Sequence, residues 1–427
     1  MTTAPGQSST SERSSSTRDM VNATDLKKDL ESLIPEALEL LRQMVGINSF
    51  TLNPEGVGQL ATFTADTFAS LGFASETVAS FDPRFGKHLV LTRDGTGQES
   101  IALISHLDTV FPPEEEARNN FHWSVEGDWA FGPGTHDIKG GTVMMWLVLK
   151  SLQRHAPAVF ERIHWKLFLN SSEEMYSPDF GELVRSRIDR QTLAALVFEA
   201  EGRLGREHLM VVARKGRATW RVTVSGRGSH AGGKHPHGAN AVVQLGKLLP
   251  RIAALTDYTR DLTVNVATIH GGTVLNRVPH EAVAEGEFRA FDSEAYNDCR
   301  RALLSLSGEG DVGSADDGYK CSVKVEILTE SRPWPRNPAT DTLAKMWIQA
   351  GEEAGYPTNL QERGGLSDGN MIWDAVPTLD GLGPWGDNDH CSERSSDGTK
   401  LPEYVEISNF VPKAVANTLA ILKLVQT

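Results

Sequence analysis

The sequence predicts an α/β protein in which a larger unit, built on a mixed, mainly parallel sheet, is interrupted by a smaller inserted α+β unit. Three observations carry this. The runs Ile101-Ala102-Leu103-Ile104, Trp165 to Asn170 and Ala195 to Phe198 each look like a buried strand and each hands over to ligand-type side chains where the strand should end. In open α/β sheets, ligands gather outside the carboxyl ends of parallel strands. From Arg214 to Glu330 the order becomes strand, helix, strand, strand, helix, strand, which is the split β-α-β-β-α-β order of a small sandwich. At 427 residues the chain is too long for one ordinary core, and the first pattern resumes after Pro333.

Taken in order, Met1 to Asn22 is rich in Ser and Thr, lacks the apolar core of a secretory signal and reads as a disordered arm. Leu30, Leu33, Ile34, Leu38, Leu41 and Val45 recur at helical spacing and predict an amphipathic helix from Asp25 to Val45. A second helix is expected over Val57 to Leu71, then strands at His88 to Thr92 and Ile101 to Ile104. The glycine-rich segment Phe131 to Gly141 breaks into an apolar helix, Thr142 to Leu152. The inserted unit should contain strands Thr219 to Val224, Leu262 to Ile269, Ala282 to Phe291 and Ser322 to Leu328, with helices Ala239 to Leu255 and Ser293 to Ser307. A helix from Asp341 to Ala354, a glycine-rich turn from Arg363 to Asn370 and a last helix from Tyr404 to Leu424 return to the first unit. The expected division is therefore 23–213 with 331–427 as one domain and 214–330 as the insertion.

Composition narrows the function. Forty-two basic against 56 acidic residues, a formal charge of −14, argue against a nucleic-acid backbone as partner. No apolar stretch is long enough to predict a membrane span. Three scattered cysteines, Cys299, Cys321 and Cys391, suit neither a disulfide framework nor a thiolate metal site, and point to a reducing, cytoplasmic setting.

His106 and Asp108 would point to the same face of an extended backbone. Alone, the pair is better read as a surface histidine beside a helix-capping aspartate than as a metal ligand or catalytic base with its carboxylate. The glycine-rich loop before Thr142 is open to three readings: a phosphate cradle, whose spacing fits neither known fingerprint; a tight turn capped by Asp137; or a rigid mount for Asp137 as a ligand. Collected together, His106, Asp137, Glu174, Glu199 and His390 form a set of two imidazoles and three carboxylates at strand or loop ends, suited to zinc, cobalt or manganese. Charge favours two ions, since three carboxylates and one bridging hydroxide balance two divalent cations. Asp137 is the natural bridge, Asp108 would orient His106, and Glu173 remains free to move a proton from the hydroxide-forming water, the nucleophile, to a leaving amine. That division of labour describes amide hydrolysis.

The segments His106-Leu107-Asp108-Thr109-Val110, Gly132-Pro133-Gly134 to Asp137-Ile138-Lys139-Gly140-Gly141, Ser172-Glu173-Glu174, Phe198-Glu199 and the late His390 resemble, in order, the motifs of the co-catalytic zinc metallopeptidase family. This family includes carboxypeptidase G (glutamate carboxypeptidase), aminoacylase and succinyl-diaminopimelate desuccinylase. The resemblance runs from about Asp25 to the C-terminus, and Thr378 to Gly383 is most similar to the carboxypeptidase G branch. It implies a zinc-peptidase catalytic domain with two Zn²⁺ (Co²⁺ or Mn²⁺ as substitutes) and an inserted ferredoxin-like lid that mediates homodimerisation in many members. The ligands would be His106, Asp137, Glu174, Glu199 and His390, with Asp108 orienting and Glu173 as general acid/base. The implied activity is hydrolysis of an amide next to a free carboxylate, on an N-acyl amino acid or short peptide. Aminoacylase, dipeptidase or desuccinylase activity is the alternative within the family, and a non-catalytic small-molecule binder the alternative outside it.

Within the lid, Gly228 to Gly232 resembles the family segment whose histidine, here His230, reaches across a dimer to stabilise an oxyanion; a plain turn histidine is the competing reading. Asn276 and Arg289 match lid positions that bind the substrate carboxylate, and Gly365 and Ser367 lie in a segment resembling the loop that closes over the substrate. His136 departs from the family pattern and reads as an exposed loop residue, as do His235 and His237. Cys391 reads as a small packing residue and the nine tryptophans as core and lid residues, with Trp334 or Trp385 the alternative candidates for a pocket wall.

Overall fold

The computed structural model describes residues 21–205 and 207–426; most of the expected N-terminal arm lies outside them. The central sheet has six strands in the order Ala74–Ala79, Lys87–Arg93, His164–Asn170, Ser100–His106, Thr192–Val197 and Thr378–Leu379. The first two pairings are antiparallel and the remaining three parallel. Both faces of this sheet are covered, which explains the uninterrupted apolar runs. Ile101 and Leu103 face one core with helices Ala23–Val45, Lys139–His155 and Phe410–Leu424, whereas Ala102 and Ile104 face a second core with Phe180 and Val184 of helix Pro178–Arg187.

Residues 216–331 form a five-stranded antiparallel sheet in the order Thr263–Gly271, Glu281–Ala290, Gly216–Ser225, Lys320–Ser331 and Gly308–Gly313. Helices Ala241–Ala253 and Ser293–Leu304 pack on one face, over a separate core around Trp220, Leu245 and Phe288. Strand Gly216–Ser225 alternates accordingly: Ala218, Trp220, Val222 and Val224 are buried, while Arg217, Thr219, Arg221 and Thr223 face away. The expected α/β class with an antiparallel α+β insertion is borne out.

Several elements differ from expectation. The last helix begins at Phe410, not Tyr404, and Tyr404–Glu406 is instead a strand against Trp129–Phe131. Pro412 accounts for this, since proline belongs in a helix's first turn and its ring obstructs a turn placed before it. Ala74–Ala79, Gly308–Gly313 and Thr358–Arg363 are strands that the apolar pattern does not announce, whereas Glu207–Arg214 is one that the run Leu209 to Ala213 does announce and the sequence reading passed over. Thr358–Arg363 is largely polar and gains its place by pairing in parallel with Glu207–Arg214.

Candidate metal centre

Three neighbouring parallel strands deliver the site. His106 is the last residue of Ser100–His106, Glu173 and Glu174 lie in a 3₁₀ turn after His164–Asn170, and Glu199 follows Thr192–Val197. Asp137 sits just before helix Lys139–His155, and His390 on a loop in left-handed conformation at φ 64°. The glycines after Asp137 have a packing reason: a Cβ on Gly141 would lie 2.0 Å from the Phe198 carbonyl oxygen. Only glycine lets this helix seat against the chain that presents Glu199.

The five expected ligands converge. His106 Nε2 lies 2.9 Å from Asp137 Oδ1 and 3.8 Å from Glu199 Oε1. His390 Nε2 lies 3.4 Å from Asp137 Oδ2 and 3.3 Å from Glu174 Oε2. Asp137 thus offers one oxygen to a His106–Glu199 set and the other to a His390–Glu174 set. Ligand atoms of His106, Asp137 and Glu174 also fall within 4.8 Å of one another.

The electrostatics express a demand for positive charge. Burial, then the Asp137 charge, pushes Glu174 up to about 7 and raises Glu199 strongly. Hydrogen bonds to Asp137 and Glu174 raise His390 to about 11. Burial opposes ionisation of Asp137, but hydrogen bonds from His106 and His390 hold its carboxyl far below the usual range. Buried carboxylates with imidazole nitrogens around a shared aspartate form a donor set that fits divalent cations.

Asp108 meets His106 mainly through its backbone. His106 Nδ1–H donates to the Asp108 backbone carbonyl at 2.9 Å, whereas the Asp108 carboxylate Oδ1 stands 3.4 Å from Nδ1. That carboxylate instead accepts the N–H groups of Glu173 (3.0 Å) and Glu174 (3.3 Å) and the Thr51 hydroxyl (2.7 Å). Glu173 lines the adjoining cavity of about 240 Å³, and burial raises its carboxyl well above the ordinary value.

Arg289, Gly365 and Ser367 line this cavity as well. Arg289 is partly engaged, forking onto Glu287 at 2.8 and 3.2 Å and donating to the Gly364 carbonyl at 3.0 Å. The Ser367 hydroxyl donates to Asp380 at 2.7 Å, so its side chain fastens the loop. His230 and Asn276 are not among the lining residues. His230 is exposed on the insertion, its Nδ1 accepting from the N–H groups of Gly232 and Gly233, and the Asn276 carbonyl accepts from Ala231.

His136 is a correction: it is 5% exposed, pairs through Nδ1 with Asp389, and donates its backbone N–H to Glu403. Of its two readings Trp334 takes the core one, being fully buried against Gly369, and Trp385 stacks on the Arg203 guanidinium. His235 and His237 are exposed, and Cys391 is half-buried. Sequence reasoning missed Glu403, whose buried Oε1 accepts from the backbone N–H groups of both His136 (2.8 Å) and Asp137 (3.1 Å). No local motif announces that role, because the partners lie at the other end of the chain.

Residues 212–311 match the peptidase dimerisation domain. Carboxypeptidase G2 of Pseudomonas sp. (strain RS-16) is 27% identical over 377 residues, covering 88% of this chain and 86% of that protein. Succinyl-diaminopimelate desuccinylase of Delftia acidovorans is 25% identical over 395 residues, covering 88% and 94%. The Bacillus subtilis YXEP protein, described as a dinuclear metal-binding peptidase of the M20 family, superposes with a TM-score of 0.60 at 14% identity over 93% of this chain and all of its own.

Proposed function

Since this chain belongs to the M20 metallopeptidase family and is a hydrolase of C–N amide bonds, we propose that it is a dinuclear zinc carboxypeptidase or N-acyl-amino-acid amidohydrolase. The observation that carries the reading is the division of Asp137's two oxygens between the His106–Glu199 and His390–Glu174 sets. His106, Glu199 and Asp137 would hold one ion, and His390, Glu174 and Asp137 the other. Ions bound there would polarise the scissile carbonyl and supply a water acidic enough to attack near neutral pH.

The chain's own residues do the rest. Glu173, held by its backbone to Asp108, accepts a proton from the attacking water and returns it to the leaving nitrogen. Arg289 keeps guanidinium N–H groups free beyond those used by Glu287 and Gly364, and these bind the carboxylate beside the scissile amide. The likeness to carboxypeptidase G2 favours a carboxypeptidase over an aminoacylase or desuccinylase.

The insertion, 214–330 by the sequence reading, serves as lid and homodimer interface. Its edge strand Thr263–Gly271 and the neighbouring Val242, Val243, Val274 and Leu275 expose apolar surface suited to a second copy. In such a dimer His230 serves the partner's site as an oxyanion donor, and Asn276 accompanies it. No helix among the described residues is long and apolar enough to cross a membrane. The test is turnover of N-acyl amino acids and dipeptides with and without chelator, alongside metal analysis. Loss on chelation and recovery with Zn²⁺ is expected; full activity in metal-free protein would defeat the reading.

A further inference from the structure

We propose that Arg217 is a specificity-determining residue that binds a second carboxylate of the substrate, so that dicarboxylate substrates are favoured. The inference rests on the amidohydrolase reading above and adds the chemistry of what that site selects.

Arg217 lies on the face of strand Gly216–Ser225 that the helices leave uncovered. Its direct cross-strand partners are Arg289 on one side and Ser331 on the other. All three line the cavity that holds Glu173, Glu174 and Glu199. Two arginines placed directly opposite each other repel, and a sheet ordinarily avoids the arrangement. The same pair of strands does avoid it four residues further along, where Arg221 faces Glu285 and forms an ion pair at 2.6 Å. The like-charged pair is therefore confined to the position that faces the cavity.

The two guanidinium groups are not equivalent. Arg289 is engaged with Glu287 and the Gly364 carbonyl. Among the described residues, the Arg217 guanidinium makes no hydrogen bond or ion pair, and it is only half-buried. A free planar fork beside a partly occupied one is a ready receptor for a second carboxylate. The anion would also relieve the repulsion between the two arginines. Its source is either an acidic side chain on the amine-side residue or the far end of a dicarboxylic acyl group; both present the same chemistry to Arg217.

The experiment combines binding and turnover. Calorimetry on the metal-loaded protein compares glutarate with butyrate, and kinetics compare N-acetyl-L-glutamate, N-succinyl-L-alanine and N-acetyl-L-alanine. Wild-type protein should bind glutarate at least tenfold more tightly than butyrate, and Arg217→Leu should remove that preference. With Arg217→Leu, kcat/KM on one of the dicarboxylates should fall tenfold or more beyond any loss on N-acetyl-L-alanine, mainly through KM, and the affected substrate identifies the source. Arg217→Lys should recover part of the preference by charge alone. No preference for glutarate, or equal losses on mono- and dicarboxylates, would overturn the proposal. If none of the three substrates is turned over while the glutarate preference persists and depends on Arg217, the hydrolase reading fails and the anion site stands.

Discussion

The backbone N–H of Glu173 donates to Asp108 Oδ1 at 3.0 Å, and Asp108 also takes the Glu174 N–H and the Thr51 hydroxyl. One buried carboxylate therefore fixes the turn that carries both the proposed acid/base and a proposed ligand, while its own carbonyl orients His106. Asp108→Ala should lower metal affinity and kcat by roughly 10–100-fold, the usual cost of losing a group that positions ligands. Metal retention after dialysis, measured beside kcat, checks this.

Asp380 accepts from Arg214 Nε and the Ser367 hydroxyl, each at 2.7 Å, while Arg214 also donates to the Gly365 and Leu366 carbonyls. Both ions of the pair are almost fully buried. Asp380→Ala leaves a buried guanidinium unpaired and should cost about 3–5 kcal/mol, seen as a lower denaturant midpoint. KM should rise as well, since the same network fastens the loop that lines the cavity.

Legibility followed the physics of each element. Ile101 to Ile104 could be read because burial on both faces writes a continuous apolar run, and His106, Glu174 and Glu199 could be read because they sit where such runs end. Thr358–Arg363 could not, since its side chains are mostly polar and its place comes from backbone pairing. Nor could Glu403 or the burial of His136. Glu403 acts through N–H groups more than 260 residues away, and His136 is covered through its contact with Asp389. The Tyr404 error was avoidable, because Pro412 already marks where a helix can begin.

Acid stability should report Asp179. Burial alone would raise its carboxyl, but hydrogen bonds from His88, the Phe81 N–H and the Ser80 hydroxyl bring it down to about 2. A folded-state value below the unfolded one, about 3.9, gives stability that is complete above that pH and lost as pH falls towards 2. The contribution is about 2 kcal/mol. Asp179→Asn should be less stable at pH 7 and show a shallower decline in Tm between pH 5 and pH 2.

Complementation reads the proposed role of His230. Glu173→Gln and His230→Ala chains should each be nearly inactive, yet mixing them under conditions of subunit exchange should restore part of the activity. Each mixed dimer then contains one site with both residues intact. Exchange without recovery would assign His230 to its own chain or to the surface.

The central claim is that Asp137 is shared by two metal sites, and counting bound metal tests it most directly. Zinc added to chelator-treated protein, then dialysed and measured by elemental analysis, should return two equivalents per chain. The same treatment of Asp137→Asn should leave neither site properly filled. One equivalent in the wild-type protein, or two equivalents retained by Asp137→Asn, would contradict the account.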